Sequence, residues 1–157
     1  MNQLNLPGYS FRIIEEDGFR KIFDTVRKRF VKLTPEEWVR QNFITYLTRI
    51  LGYPVGLISV EKSHRWNRFN RRTDIMVHTR KGEPVMIVEC KAPDVKIDAH
   101  VFDQIVCYNM KFNVPLLVVT NGVNHYACRT GPAEGKYTFL ESIPQYCEIE
   151  SFLKKND

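Results

Sequence analysis

From Pro84 to Cys90 the chain reads Pro-Val-Met-Ile-Val-Glu-Cys, apolar without a break until Glu89. A strand with one face in water alternates apolar and polar residues, whereas a continuous apolar run needs cover on both faces. Pro115-Leu116-Leu117-Val118-Val119-Thr120 repeats the pattern, and the interval from about Ala99 to Phe112 suits a helix. Strand, helix and strand in that order predict a right-handed parallel crossover at the centre of a sheet. Antiparallel strands are expected before it, so the predicted fold class is α/β, a mixed central β-sheet flanked by helices.

Other elements carry local signals. Asp17-Gly18 between residues 11–16 and 19–23 predicts a two-residue hairpin, an N-terminal extension at about 9–24. Thr34 as N-cap, Pro35 at the first helical position and Glu37 three residues after Thr34 form a capping-box pattern. That helix is expected from Pro35 to Leu51, ending at Gly52 with Pro54 beyond. Val55–Glu61 and Asp74–His78 read as strands, with 62–72 as a basic connection between them. Asn124–Arg129 and Tyr137–Leu140 follow as extended segments, and a short helix is expected from Gln145 to Lys155.

At 157 residues, with 43% hydrophobic and 26% charged residues, the chain fits one globular domain, here 1–157. That composition excludes a collagen-like fibre, a disordered tail or a disulfide scaffold. No run is long and apolar enough for a membrane span, and Met1–Gly8 lacks the pattern of a signal peptide, which predicts a cytoplasmic protein with no membrane partner. Cys90, Cys107, Cys128 and Cys147 are too dispersed for structural zinc and read as free thiols in a reducing compartment. No Gly-x-x-x-x-Gly-Lys-Ser/Thr motif is present, so the chain holds no motor of that type.

Chemistry concentrates where the first buried strand ends. Glu89 and Lys91 flank Cys90, and side chains two apart on a strand share a face, with Cα atoms about 7 Å apart. If the preceding strand pairs antiparallel across the 79–83 turn, Asp74 becomes a neighbour of Glu89. Two carboxylates that close both ionise only with a cation between them, and oxygen ligands at an open site suit Mg²⁺ or Mn²⁺. The competing reading is a plain ion pair of Lys91 with Asp74 or Glu89. Glu-x-Lys alone says little: Glu134-Gly135-Lys136 has the same spacing in a loop.

On the first helix, Val39, Phe43, Tyr46, Leu47 and Ile50 cluster on one face. At about 100° per residue, Glu36 lies about 40° from the centre of that face and Glu37 about 140° away, toward solvent. Glu36 is thus aimed at the sheet edge, or is simply a first-turn acid favoured by the helix dipole. Gln104 and Tyr108 share a face of the second helix, which could look toward the same strand end or be ordinary amphipathic packing.

The ordered set of Pro-Glu-Glu-Trp-Val-Arg-Gln at 35–41, Leu-Gly-Tyr-Pro at 51–54, Arg-Arg-Thr-Asp-Ile at 71–75, Val-Glu-Cys-Lys-Ala-Pro at 88–93, Gln-Ile-Val-Cys-Tyr-Asn at 104–109 and Val-Thr-Asn-Gly at 119–122 resembles the N-terminal nuclease domain of type I restriction enzyme R subunits. That domain belongs to the PD-(D/E)xK nuclease superfamily. The resemblance covers most of the chain to about Thr120 and implies a restriction-endonuclease-like core. It implies that Asp74 and Glu89 hold Mg²⁺ or Mn²⁺ with the backbone carbonyl of Cys90. It implies that Lys91 orients or activates water and steadies phosphorane-like charge. Glu36 would support the metal or its water, and Gln104 and Tyr108 would match a Gln-x-x-x-Tyr element near the DNA backbone. Thr73 departs from the proline of the superfamily's name.

Lys62, His64, Arg65, Arg68, Arg71, Arg72, Arg80 and Lys81 surround Asp74 in sequence, with Trp66 and Phe69 among them, in a chain of formal net charge +5. Arg65, Arg68, Arg71 and Arg72 are expected to bind DNA phosphates, with the aromatics free to stack on bases. Arg27, Lys28, Arg29 and Lys32 read instead as a solvated cluster. The expectation is a Mg²⁺-dependent DNA endonuclease domain working with a translocase or another restriction-system subunit. A homodimer would supply two active sites for cutting both strands. The alternative is a non-cleaving nucleic-acid-binding or assembly module on the same fold.

Overall fold

The computed structural model describes residues 3–66, 69–109, 114–131, 136–149 and 153, with backbone alone for 61–66, 69–72 and 107–109. Among the described residues, two sheets and two α-helices dominate. An antiparallel meander of β1 (Ile13–Glu16), β2 (Phe19–Asp24) and β3 (Arg29–Lys32) comes first. Asp17 and Gly18 both adopt positive φ, 54° and 73°, the geometry of the tight turn that an Asp-Gly pair favours. The predicted hairpin is therefore present, but β3 extends it to a three-stranded sheet. Four residues flanked by basic side chains offered no alternation by which to find β3.

Helix α1 (Pro35–Arg49) follows, with the Thr34 hydroxyl accepting from the Glu37 N–H at 3.0 Å. Gly52, at φ +75°, supplies the left-handed turn beyond the helix end. The second sheet has the order β4 (Ile58–Trp66), β5 (Phe69–His78), β6 (Pro84–Cys90), β7 (Leu116–Thr120), β8 (His125–Thr130), β9 (Tyr137–Phe139). Only β6 and β7 pair in parallel, through helix α2 (Ala99–Asn109), so the sheet is mixed and the fold α/β. Asp98 caps α2, its carboxylate accepting from the Val101 N–H at 2.9 Å.

Both faces of the central strands are covered, as their composition requires. Ile75, Val77, Met86, Val88, Leu116 and Val118 join Val39, Phe43 and Leu47 of α1 in one apolar layer. Met76, Ile87, Leu117 and Val119 join Phe102, Ile105 and Val106 of α2 in the other. Every residue of β7 is buried.

Several expectations are corrected. Residues 62–66 and 69–72 are not a connection but the outer half of the β4–β5 hairpin, paired from Lys62↔Thr73 to Trp66↔Phe69. Their sequence is basic with isolated aromatics, so no apolar period marks them. Val55–Leu57 forms a 3₁₀ turn, and β4 begins only at Ile58. Ile50, placed by its angle on the inner face of α1, is 52% exposed because it lies past the last helical turn. Within the expected C-terminal helix, Tyr146–Glu148 forms a 3₁₀ turn, closed by a hydrogen bond from the Gln145 N–H to Glu148, and Ile149 and Leu153 beyond it are helical. Most of the remainder of that segment lies outside the described residues.

Candidate active site

The ladder between β5 and β6 includes Ile75↔Val88, and one further step puts Asp74 beside Glu89. Lys91 keeps the parallel register just past β6, its N–H donating to the Thr120 carbonyl at 2.8 Å. Sheet pairing thus delivers Asp74, Glu89 and Lys91 to one strand end. Asp74 Oδ2 accepts from the Cys90 N–H at 2.7 Å, and Glu89 Oε1 accepts from Lys91 Nζ at 3.0 Å. Helix α1 reaches the same place: Arg40 Nη2 donates to Asp74 Oδ1 at 2.8 Å and to Glu36 Oε1 at 3.2 Å. The side chains of Glu36 and Lys91 are 45% and 31% exposed, those of Glu89 and Asp74 19% and 14%, that of Arg40 5%. The cluster therefore runs from solvent into the protein and is no dry, closed salt bridge.

Its electrostatics show acids crowded together. Burial, then the charge of Asp74, push the Glu89 carboxyl up from 4.5 to about 7 against the pull of Lys91. Glu36 is raised for the same two reasons, opposed by Arg40 and Lys91. Burial works against the charge on Lys91, but Glu89, Asp74 and Glu36 outweigh it and hold the ammonium above its ordinary value. Arg40 shows the same balance, with burial overcome by Asp74 and Glu37. The Cys90 thiol is fully buried beside these charges, and burial followed by Asp74 drives its pKa well up.

The donor chemistry fits a hard divalent cation: carboxylate oxygens with an excess of like charge and an opening to solvent. Asp74 and Glu89 would hold it, with Glu36 on the outer side. Among the described residues no three His, Cys, Asp or Glu side chains are arranged to hold a metal ion, so an ion here would rest on two carboxylates. Such a site leaves ligand positions for water and substrate, as Mg²⁺ commonly does.

Of the residues singled out from sequence, Asp74, Glu89, Lys91 and Glu36 converge, with Cys90 between the strand-end acid and the lysine. Gln104 is exposed on α2 and its amide pairs with His100 at 3.1 Å; among the described contacts none joins it to the acids. Tyr108 lies on the α2 backbone, and its side chain is outside the described residues. Arg65, Arg71 and Arg72 lie on the β4–β5 ribbon, their side chains likewise undescribed, and Arg68 is outside the described residues altogether.

Glu37 is not the solvent-facing capping acid expected. Its N–H completes half the box, but its carboxylate, 7% exposed, binds Arg27, Arg40 and Gln41. Helix periodicity turns Glu37 away from the large sheet, but the β2–β3 turn covers that side through Arg27. Arg27 is no solvated cation either: at 12% exposure it pairs with both Asp24 and Glu37. Asp24, fully buried, also accepts from the backbone N–H groups of Val26 and Arg27. Burial would raise its pKa, but those bonds, the Arg27 guanidinium and Gln41 lower it overall. Arg40 was missed. Its available signal was position, four residues after Glu36 and three after Glu37, where a helix brings unlike charges together.

Comparison with known proteins bears on the family and the fold. The family model described as the type I restriction enzyme R protein N terminus matches residues 35–144, well over half of the chain. The fragment structure of a putative HsdR subunit of a type I restriction enzyme from Vibrio vulnificus YJ016 superposes with a TM-score of 0.56 at 17% identity. That match covers 79% of this chain and 26% of the other, so this chain spans about a quarter of that fragment's length, and the likeness speaks to fold alone. No curated protein matches the sequence.

Proposed function

The chain belongs to the family of type I restriction enzyme R protein N termini, and from that premise we propose that it is a Mg²⁺-dependent (or Mn²⁺-dependent) endonuclease domain that hydrolyses DNA phosphodiester bonds. The observation that carries this reading is the meeting of Asp74, Glu89 and Lys91 at one partly open strand end with Glu36 beside them. It supports the acid–acid–lysine set that the resemblance to PD-(D/E)xK nucleases implies.

Asp74 and Glu89 would hold the ion, aided by the Cys90 carbonyl. The bound ion would polarise the phosphoryl group and acidify a water. Asp74 is oriented for this by the Cys90 N–H and Arg40. Lys91 remains protonated because three carboxylates surround it. It is therefore suited to donate hydrogen bonds and offset the growing negative charge, not to remove a proton from water. The β4–β5 ribbon would carry Arg65, Arg71 and Arg72 along the DNA backbone, with Arg68 and Gln104 and Tyr108 as further contacts. In a restriction system the domain would act with a translocase subunit, and paired copies would cut both strands.

One observation favours the non-cleaving alternative. Both oxygens of Asp74 already have protein donors, so that carboxylate is satisfied without a metal. Incubation with plasmid DNA in Mg²⁺, Mn²⁺ or EDTA separates the two. The nuclease reading expects metal-dependent nicking or linearisation that Asp74→Ala and Lys91→Ala abolish while their circular dichroism stays native. Binding without cleavage in either metal favours the alternative.

A further inference from the structure

Asp74 takes part in two close acid pairs, one with Glu89 and one with Glu36, and the two are neutralised differently. A single Arg40 nitrogen, Nη2, bridges Asp74 Oδ1 and Glu36 Oε1 at 2.8 and 3.2 Å. Among the described contacts, nothing bridges Asp74 to Glu89, since Lys91 Nζ donates to Glu89.

The bridging guanidinium is held from behind. Arg40 Nη1 donates to Glu37 Oε2, while Glu37 Oε1 accepts from Arg27 Nη2 at 2.7 Å and Gln41 Nε2 at 2.8 Å. Arg27 in turn is paired with Asp24 in the β2–β3 turn. Moving Arg40 aside would leave Glu37 buried without that partner, a costly outcome for a charge in the interior. The planar fork of arginine, always charged, suits such a fixed bridge better than a flexible ammonium.

We infer that Arg40 permanently fills the cation position between Asp74 and Glu36, so that the site takes a single divalent ion, held by Asp74 and Glu89. Arg40 is then a positioning residue that fixes Asp74 and supplies the charge a second ion would bring. The inference rests on the nuclease reading, because it presupposes an ion at Asp74 and Glu89. It gives the N-terminal sheet a role as well: the chain Asp24–Arg27–Glu37–Arg40 ties that sheet to the candidate catalytic aspartate.

Mn²⁺ bound per full-length chain, counted by electron paramagnetic resonance of the free ion, tests this without any cleavage assay. One ion in the wild type is expected. Two overturn the inference and leave the nuclease reading standing; none overturns both. Arg40→Gln opens the bridge and should admit a second, weaker ion, which the added substitution Glu36→Gln removes again. A count that stays at one in a folded Arg40→Gln overturns the assignment to Arg40. Should Arg40→Gln fail to fold by circular dichroism, the wild-type count decides: one ion per chain upholds the inference and two overturn it.

Discussion

At the scale of single residues, Glu89 couples the site to pH. Its proton is held more tightly in the fold than in the unfolded chain, up from 4.5 to about 7, with burial as the first cause and Asp74 as the second. The sign follows. Below the unfolded value the stabilisation from this group is fully present, and it is lost as pH rises through the folded value. A buried acid that must ionise then burdens the metal-free fold by ~1–3 kcal/mol. Glu89→Gln lacks that dependence, and because the charges of Glu89 and Glu36 repel, losing one also relieves the other in the same direction. In EDTA, urea midpoints at pH 5 and pH 8 should therefore show the variant gaining on wild type with rising pH. Parallel behaviour of the two would refute the account. The thiols separate by environment in the same way. Burial lifts Cys128 to about 12, whereas Cys147 is exposed. A thiol reagent at pH 8 followed by peptide mass mapping should mark Cys147 and spare Cys90 and Cys128 until the protein unfolds.

At the scale of elements, α1 is shared between two sheets. Glu36 and Arg40 serve the site, Glu37 serves the β2–β3 turn, and Val39, Phe43 and Leu47 serve the core. The turn from β7 to β8 closes on this helix from the other side. Gly122 sits there at φ +82°, and a Cβ would come within 2.7 Å of Leu4 Cδ2 and 3.1 Å of Val39 Cγ2. Leu4 can swing away, but the backbone angle and the buried Val39 cannot adapt so easily. Gly122→Ala should cost ~1–2 kcal/mol, and the thermal midpoint should fall by about 2–4 °C per kcal/mol; an unchanged midpoint would show that the turn relaxes freely. How legible each element was depended on whether its stabilising signal was local. The β6 and β7 runs, the Asp-Gly turn and the Thr34-Pro35 start all signal within a few residues, and the structure has them. β3 and the outer halves of β4 and β5 do not, because Arg29–Lys32 and the basic stretch 62–72 carry no apolar alternation. In the site, Asp74, Glu89 and Lys91 were legible from strand pairing, and Glu36 from helix geometry. Arg40 and Glu37 were not, because what buries them is a neighbouring sheet that their helix periodicity does not encode.

At the scale of the whole molecule, the ladders give the protein an asymmetric outline. β5 pairs with β4 out to Phe69, but with β6 only from Ile75 onward. The outer hairpin is thus a two-stranded ribbon that runs past β6, starting beside Asp74. Along it the sequence places Lys62, His64, Arg65, Arg71 and Arg72, in a chain of net charge +5. Together, ribbon and strand end would set a cationic track beside an acidic pocket, so that DNA phosphates are drawn in by one and exposed to the metal at the other. Electrostatic attraction of this kind releases counterions, and each phosphate contact adds about 0.9 to the slope of log affinity against log salt. Arg65→Ala, Arg71→Ala and Arg72→Ala combined should flatten that slope by about 2–3 for duplex DNA, measured by fluorescence anisotropy in Ca²⁺ across a salt series. Mn²⁺ binding should persist in the same variant, because the ion would be held by Asp74 and Glu89. An unaltered slope would move the DNA track elsewhere on the surface, while a loss of Mn²⁺ binding would show that ribbon and site fold as one unit.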